Sequence, residues 1–194
     1  KIIDYWRGTV SDDFAMTRAL HDAKLPIKFV PQCLTPSFER CTFSELLEFT
    51  TRQIKITRAY ASHLWKSVFL GSVIFVITFF GGTALVIMRA ALGLPFLAPL
   101  SLLLIIFAMG AMKSHLRLRA VSLVIAEPKM SSAASTVAHV SLWPLASALY
   151  LYNAISATVS RRITWRGITY ELKSPNETVI IGMQRSEVRD QRSE

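Results

Sequence analysis

The chain has 194 residues, of which 52% are hydrophobic and only 18% charged, well below the ~25% charge usual for soluble domains. Its formal net charge is +9, yet the Lys and Arg residues flank apolar segments and form no basic, aromatic-interleaved stripe, which argues against nucleic acid as a partner and for anionic lipid head groups. Cys33 and Cys41 make no metal-ligand pattern with the four histidines and read as free cytosolic thiols.

No cleavable signal peptide precedes Lys1, and the sequence reads as the back end of a longer protein. Ser11, followed by Asp12 and Asp13, predicts a helix to about Ala23: a hydroxyl caps free amides, and carboxylates suit the positive helix end. Residues 26–31, with Ile27, Phe29 and Val30 between two prolines, read as a short edge strand. Helix, strand and helix leave no room for an independent core, so residues 1–41 are expected to be the C-terminal piece of an α/β domain whose body lies upstream.

Thr42 and Glu45 have capping-box spacing and open a helix over 42–66 that carries Phe43, Leu46, Leu47, Ile54 and Trp65 along one side. Arg52, Lys55 and Arg58 recur every three residues on a cationic flank. Such a helix is expected at a membrane surface, apolar side in the lipid boundary and cations near phosphates; an ordinary amphipathic helix with a solvated basic face fits the same spacing.

Residues 67–88 and 90–112 are free of charge, with Arg89 alone between them. Each is long enough as a helix, at ~1.5 Å per residue, to match a hydrocarbon core of ~30 Å. The connection contains Gly93 and Pro95 and can be short. Lys55, Arg58 and Lys66 precede the first span, and Lys113, Arg117 and Arg119 follow the second. The positive-inside rule therefore puts both outer ends, with the acid pair and the interfacial helix, on the cytosolic side. Residues 113–136, including Glu127 and Pro128, read as an interfacial stretch, and 137–159 as a third span of the membrane region 67–159.

A third full crossing would leave the tail that begins with Arg161, Arg162 and Arg166 outside. Either the rule is broken there, or the segment re-enters, kinked at Pro144. Residues 160–194 read as a basic, aromatic tail whose order ends at Pro175 and Asn176, with a glycosylation-type triplet at 176–178 and a frayed end after Gln184.

Asp12 and Asp13 are the adjacent carboxylates ahead of the apolar segments. They can act as a general base toward a lipid hydroxyl, or simply cap a helix. Trp65, Arg161, Arg162, Trp165 and Arg166 suit a membrane interface, where Trp sits at head-group level. Trp6, shortly before the acid pair, either flanks an acceptor or packs.

The run from Val10 to Leu20 with Asp12 and Asp13, followed by Ile27-Lys28-Phe29-Val30-Pro31, resembles the third acidic motif of membrane-bound family 2 glycosyltransferases, in particular their ceramide glucosyltransferase-like branch. Downstream, the run from Glu48 to Arg58 falls where that family carries its Gln/Arg-x-x-Arg-Trp motif. The run from Arg161 to Tyr170 looks like the basic, aromatic segment that follows the last membrane helix of the branch. Together the three cover roughly residues 1–172.

The resemblance implies a mainly α protein with multi-pass membrane helices, preceded by the C-terminal remnant of an α/β, GT-A-like nucleotide-sugar domain. It implies inverting transfer of a hexose from a nucleotide diphosphate sugar to a membrane lipid hydroxyl, with Asp13 as base and Asp12 in support. Arg52, Gln53, Lys55 and Arg58 would bind substrate, the cations near the diphosphate. If the motif starts at Arg52, its last two places hold Lys55 and Ile56, so the family's Trp is replaced by an aliphatic residue.

A divalent metal, Mg or Mn, is implied through residues upstream of Lys1, with no metal ligand in this chain, which alone should not turn over. Two rivals stay open: a processive polysaccharide synthase, and a non-catalytic membrane anchor or scaffold.

Overall fold

The structure, a computed structural model, describes residues 3–36, 41–125 and 132–183. It is mainly helical with one small sheet: α1 (Ile3–Trp6), α2 (Asp12–Asp22), α3 (Phe43–Tyr60), α4 (Ser62–Val76), α5 (Gly82–Ala91), α6 (Leu97–Ser122), α7 (Ala133–Ser141) and α8 (Trp143–Val159), then β1 (Arg162–Trp165), β2 (Ile168–Ser174) and β3 (Glu177–Met183). The chain divides into two compact units: Lys1–Ile27 with Ser44–Lys66 and Asn153–Glu194, and Lys28–Phe43 with Ser67–Tyr152.

In the first unit α2 starts where Ser11 predicts, the Phe14 amide donating to the Ser11 hydroxyl at 3.5 Å. Residues 26–31 form no strand, contrary to expectation; the chain there is irregular and closes in a 3₁₀ turn, Pro31–Cys33. A strand needs a neighbour for its amides and carbonyls, and no described segment pairs with it, so Ile27 and Phe29 stand exposed.

Helix α3 begins directly after Thr42, but it stops at Tyr60, not at 66. The Ala61 amide bonds back to the Thr57 carbonyl at 2.8 Å, and the Ala61 carbonyl accepts from Leu64 at 3.0 Å and Trp65 at 3.2 Å. The chain thus turns into α4 with its backbone bonds kept, and Trp65 belongs to α4. Ile54 and Ile56 are buried, while Phe43, Leu46 and Phe49, three residues apart, form an exposed apolar stripe.

The core of this unit is Ile56, Ile163 and Leu172, with Val10, Phe14, Ala59, Tyr60 and Tyr170 packed on it. Ile163 and Leu172 come from an antiparallel sheet of order β1-β2-β3, in the segment read as a basic, aromatic tail. Arg166 and Gly167 both have positive φ, 50° and 76°, between the paired Trp165 and Ile168. Positive φ at both central residues marks a type I′ hairpin turn, whose twist matches that of the strands. Pro175 and Asn176 do not end the ordered chain; they join β2 to β3, which runs to Met183. The expected frayed end beyond Gln184 lies outside the described residues.

Gly8, at φ 72°, lies against the Asn176 carbonyl so closely that a Cβ would collide with it. The loop before α2 is therefore stitched to the β2–β3 turn.

Helix α4 continues through a π-helical segment, Ile77–Gly81, into α5, one run of 30 residues from Ser62 to Ala91 whose part from Ser67 onward belongs to the second unit. Helix α6 has 26 residues. At ~1.5 Å per residue these span ~45 and ~39 Å, more than a hydrocarbon core of ~30 Å. Both are long and apolar enough to cross a membrane, and nothing in their most apolar windows is buried. They overrun the expected 67–88 and 90–112 because Lys66, Lys113, Arg117 and Arg119 continue a helix without interruption. Residues 113–122, expected as interfacial, are the end of α6; Glu127 and Pro128 lie outside the described residues. In the turn Gly93 takes φ 67°, and Arg89 Nε donates to the Pro95 carbonyl at 2.6 Å.

Residues 137–159 are not one helix. The chain breaks at Leu142 between α7 and α8, and α8, with 17 residues, is shorter than the ~20 needed to cross. Its C-terminal half packs in the first unit, with Asn153, Ala154 and Ala157 essentially inaccessible.

In the second unit Trp143 sits among Phe75, Phe79 and Phe107, ring centroids 5.1, 5.9 and 6.1 Å away. Its indole lies on Gly110, where a Cβ would overlap it. Gly110→Ala is therefore expected to destabilise the fold by about 1–3 kcal/mol, as overpacking does. Gly71→Ala, which meets open space, should stabilise α4 by ~0.5–1 kcal/mol. Thermal unfolding in detergent checks the pair, and equal melting temperatures would contradict the packing.

Candidate functional site

Asp12 and Asp13 form the first turn of α2, and both are exposed to solvent. The Asp13 amide donates to Asp12 Oδ1 at 3.0 Å, so the Asp12 carboxylate is partly spent on the helix end, while no described group hydrogen-bonds the Asp13 carboxylate. Of the two carboxylates, that of Asp13 is thus the one not used by the helix end. The buried Ser11 backs the pair.

What holds this turn is Tyr60, the last residue of α3. The Val10 amide donates to the Tyr60 hydroxyl at 2.9 Å, and that hydroxyl lies 2.7 Å from Thr9 Oγ1. Thr9 Oγ1 donates to the Ser11 carbonyl at 3.2 Å, which makes Tyr60 the donor to Thr9. The rings of Phe14 and Tyr60 stack at 5.4 Å and 17°. One phenol thereby fixes the three residues ahead of the acid pair and the first turn of its helix. Sequence reading missed Tyr60; its four-residue step from Ile56 along the buried face of α3 was the available signal.

The cations of α3 are divided. Lys55 Nζ donates to the Arg162 carbonyl at 2.8 Å. Arg58 Nη1 donates to the carbonyls of Ala157 and, at 3.2 Å, Thr158, and its guanidinium lies 5.3 Å from the Trp65 ring. The last carbonyls of a helix lack intrahelical partners and carry the negative end of its dipole, so a guanidinium is well matched there. Burial holds the Lys55 amine below the usual lysine range.

Arg52 stays on another part of the helix, 5.6 Å from the Phe49 ring, and Gln53 is exposed. The fully buried Asn153 accepts from Thr51 at 2.7 Å, and Trp65 Nε1 donates to the Ala154 carbonyl at 3.3 Å. A buried amide inside an uncharged run was visible in the sequence; its partner on α3 was not.

Trp6 ends α1 and is exposed. Trp165 and Arg166 stand together at the β1–β2 turn, the guanidinium 5.4 Å from the indole, while Arg161 donates to the Lys173 carbonyl at 3.0 Å and the Arg162 amide to Ser160 Oγ at 3.1 Å. Of the expected site residues two groups come together, the acid pair on α2 under Tyr60, and Lys55, Arg58, Trp65 and Arg161 around a cavity at the end of α3, while Trp6, Arg52, Gln53, Arg162, Trp165 and Arg166 join neither. Among the described residues no three His, Cys, Asp or Glu side chains cluster in a way that could hold a metal ion.

Comparison with curated proteins and with solved structures returned no match. A family comparison did, over residues 7–178, which include the acid pair, helix α3 and the sheet up to the start of β3. The motifs pointed to family 2 at its ceramide glucosyltransferase-like branch; the matched family is number 21, that of the ceramide glucosyltransferases. The chain belongs to glycosyl transferase family 21.

Proposed function

We propose that this chain is the acceptor-side, C-terminal part of an integral-membrane, inverting hexosyltransferase. It takes a hexose from a nucleotide diphosphate sugar to the hydroxyl of a membrane lipid, as in ceramide glucosyltransferases. The observation that carries this reading is the exposed Asp13 carboxylate at a helix start fixed by Tyr60. Asp13 takes the acceptor proton as the lipid oxygen attacks the anomeric carbon and the nucleoside diphosphate leaves from the opposite face. Asp12 holds the turn. Positive charge from Arg52, with Gln53 beside it, would face the diphosphate; such charge is most effective where negative charge develops.

Ser62–Ala91 and Leu97–Ser122 cross the bilayer in this reading, and the acid pair lies on the cytosolic side, where the positive-inside rule puts it. A Mg or Mn ion, when bound, would offset the charge of the donor diphosphate.

The test is a product analysis on membranes containing the intact protein, with labelled nucleotide hexoses and an added hydroxylated lipid. One sugar per lipid, of inverted anomeric configuration, is expected. A ladder of lengths would favour a processive polysaccharide synthase, and no transfer with any donor would favour a non-catalytic anchor.

A further inference from the structure

A cavity of about 420 Å³ opens at the C-terminal end of α3, within the first unit, and Lys55, Arg58, Lys66, Arg161 and Lys173 line it. Among the described residues no carboxylate lines it. Glu177 reaches Lys173 from outside at 3.7 Å, with both side chains more than half exposed, so that pair offsets little of the charge. The positive charge is built into the fold: Lys55, Arg58 and Arg161 are fixed by hydrogen bonds to backbone carbonyls. A guanidinium has five N–H donors, and each arginine donates to those carbonyls through Nη1 alone. Lys66 and Lys173 complete the wall.

Five cations around one cavity repel one another until an anion enters, and a phosphate, with several acceptor oxygens, satisfies them best. The position of the cavity selects among phosphates. Trp65 and Lys66 also lie among the first five residues of the 30-residue apolar run Ser62–Ala91. At the end of a membrane-crossing helix, Trp and Lys lie at head-group level, where the abundant anions are phospholipid phosphates.

We infer that this cavity binds the phosphate of an anionic phospholipid. It would fix the end of α3 at the bilayer surface, and with it Tyr60 and the acid turn. The inference rests on the membrane-crossing part of the reading above and not on its catalytic part.

The test uses the intact protein in a nonionic detergent, with dioctanoyl phosphatidic acid, dioctanoyl phosphatidylcholine, inorganic phosphate and a nucleoside diphosphate as probes. Binding is read by native mass spectrometry and by thermal shift. Saturable binding of the phosphatidic acid is expected, with Lys66→Gln/Lys173→Gln weakening it about 30-fold, equivalent to ~2 kcal/mol. The exposed pair Lys28→Gln/Arg119→Gln removes the same charge elsewhere and should leave binding within about threefold, since the effect is local.

Equal weakening by both double variants would overturn the site in favour of net charge. Equally tight binding of phosphatidylcholine, or no loss in the Lys66/Lys173 variant while its melting curve shows it folded, would also overturn it. Displacement of the lipid by inorganic phosphate or by the nucleoside diphosphate at matched concentration would assign the cavity to a free anion or to the sugar donor instead. Since no arm reads turnover, a catalytically silent protein can still pass, and an active one can still fail.

Discussion

Asp13→Asn in the intact protein should lower kcat for sugar transfer by about 10³-fold, within the range for loss of a positioned general base. The amide keeps the shape of the carboxylate and can still face the acceptor, but it cannot take the proton. Donor KM should change little, because a group that works only in the transition state adds nothing to ground-state binding. Asp12→Asn should cost far less, about tenfold or under, since the amide oxygen still accepts from the Asp13 amide as Oδ1 does at 3.0 Å. Initial rates on detergent-solubilised protein check both, with insertion into membranes measured alongside. Equal losses at the two positions would contradict the division of labour.

Tyr60→Phe should give the second-largest effect although Tyr60 touches no reacting atom. The ring stays stacked on Phe14, but the Val10 amide loses its acceptor and Thr9 its donor. Leaving a half-buried amide without a partner costs ~1–3 kcal/mol, and the turn that carries Asp13 loosens. A shift of about 1 Å at a catalytic group can cost ~10²-fold in rate, so a fall in kcat of about 10- to 100-fold is expected. A loss of foldedness alone would lower the amount of active enzyme equally in any background. A positioning role acts through Asp13, so Tyr60→Phe should cost almost nothing further once Asp13→Asn is present. Full additivity in that double variant would reduce Tyr60 to a packing residue.

The parts of this chain governed by local rules were legible from sequence. Ser11 with two carboxylates sets the start of α2 because capping involves only neighbouring residues, and long uncharged runs mark α4–α5 and α6 because each satisfies its own backbone. What failed depended on distant partners. Residues 26–31 have strand composition but, among the described residues, no neighbouring strand. The segment from Arg162 to Met183 is charged enough to read as a tail, yet Ile163 and Leu172 find Ile56 across the fold and become core.

The run 137–159 looked like a span because an uncharged run does not reveal that Asn153 has a partner in Thr51, or that its alanines let α8 pack as closely as their burial shows. Of the candidate site, the acid pair was readable. Tyr60, which fixes it, showed only its four-residue step from Ile56; the loop 50 residues away that its phenol bonds left no local pattern.

The most direct measurement is chemical rescue. Asp13→Gly removes the carboxylate and leaves a space at an exposed helix start, into which a small carboxylate from solution can diffuse. Added formate should raise the transfer rate of Asp13→Gly at least ~10-fold while leaving Asp12→Gly and the unmodified protein unchanged, as expected when an external base replaces a missing one. If formate restores nothing to Asp13→Gly while that variant still binds donor and lipid, or if Asp13→Gly transfers sugar at the normal rate without it, Asp13 is not the base.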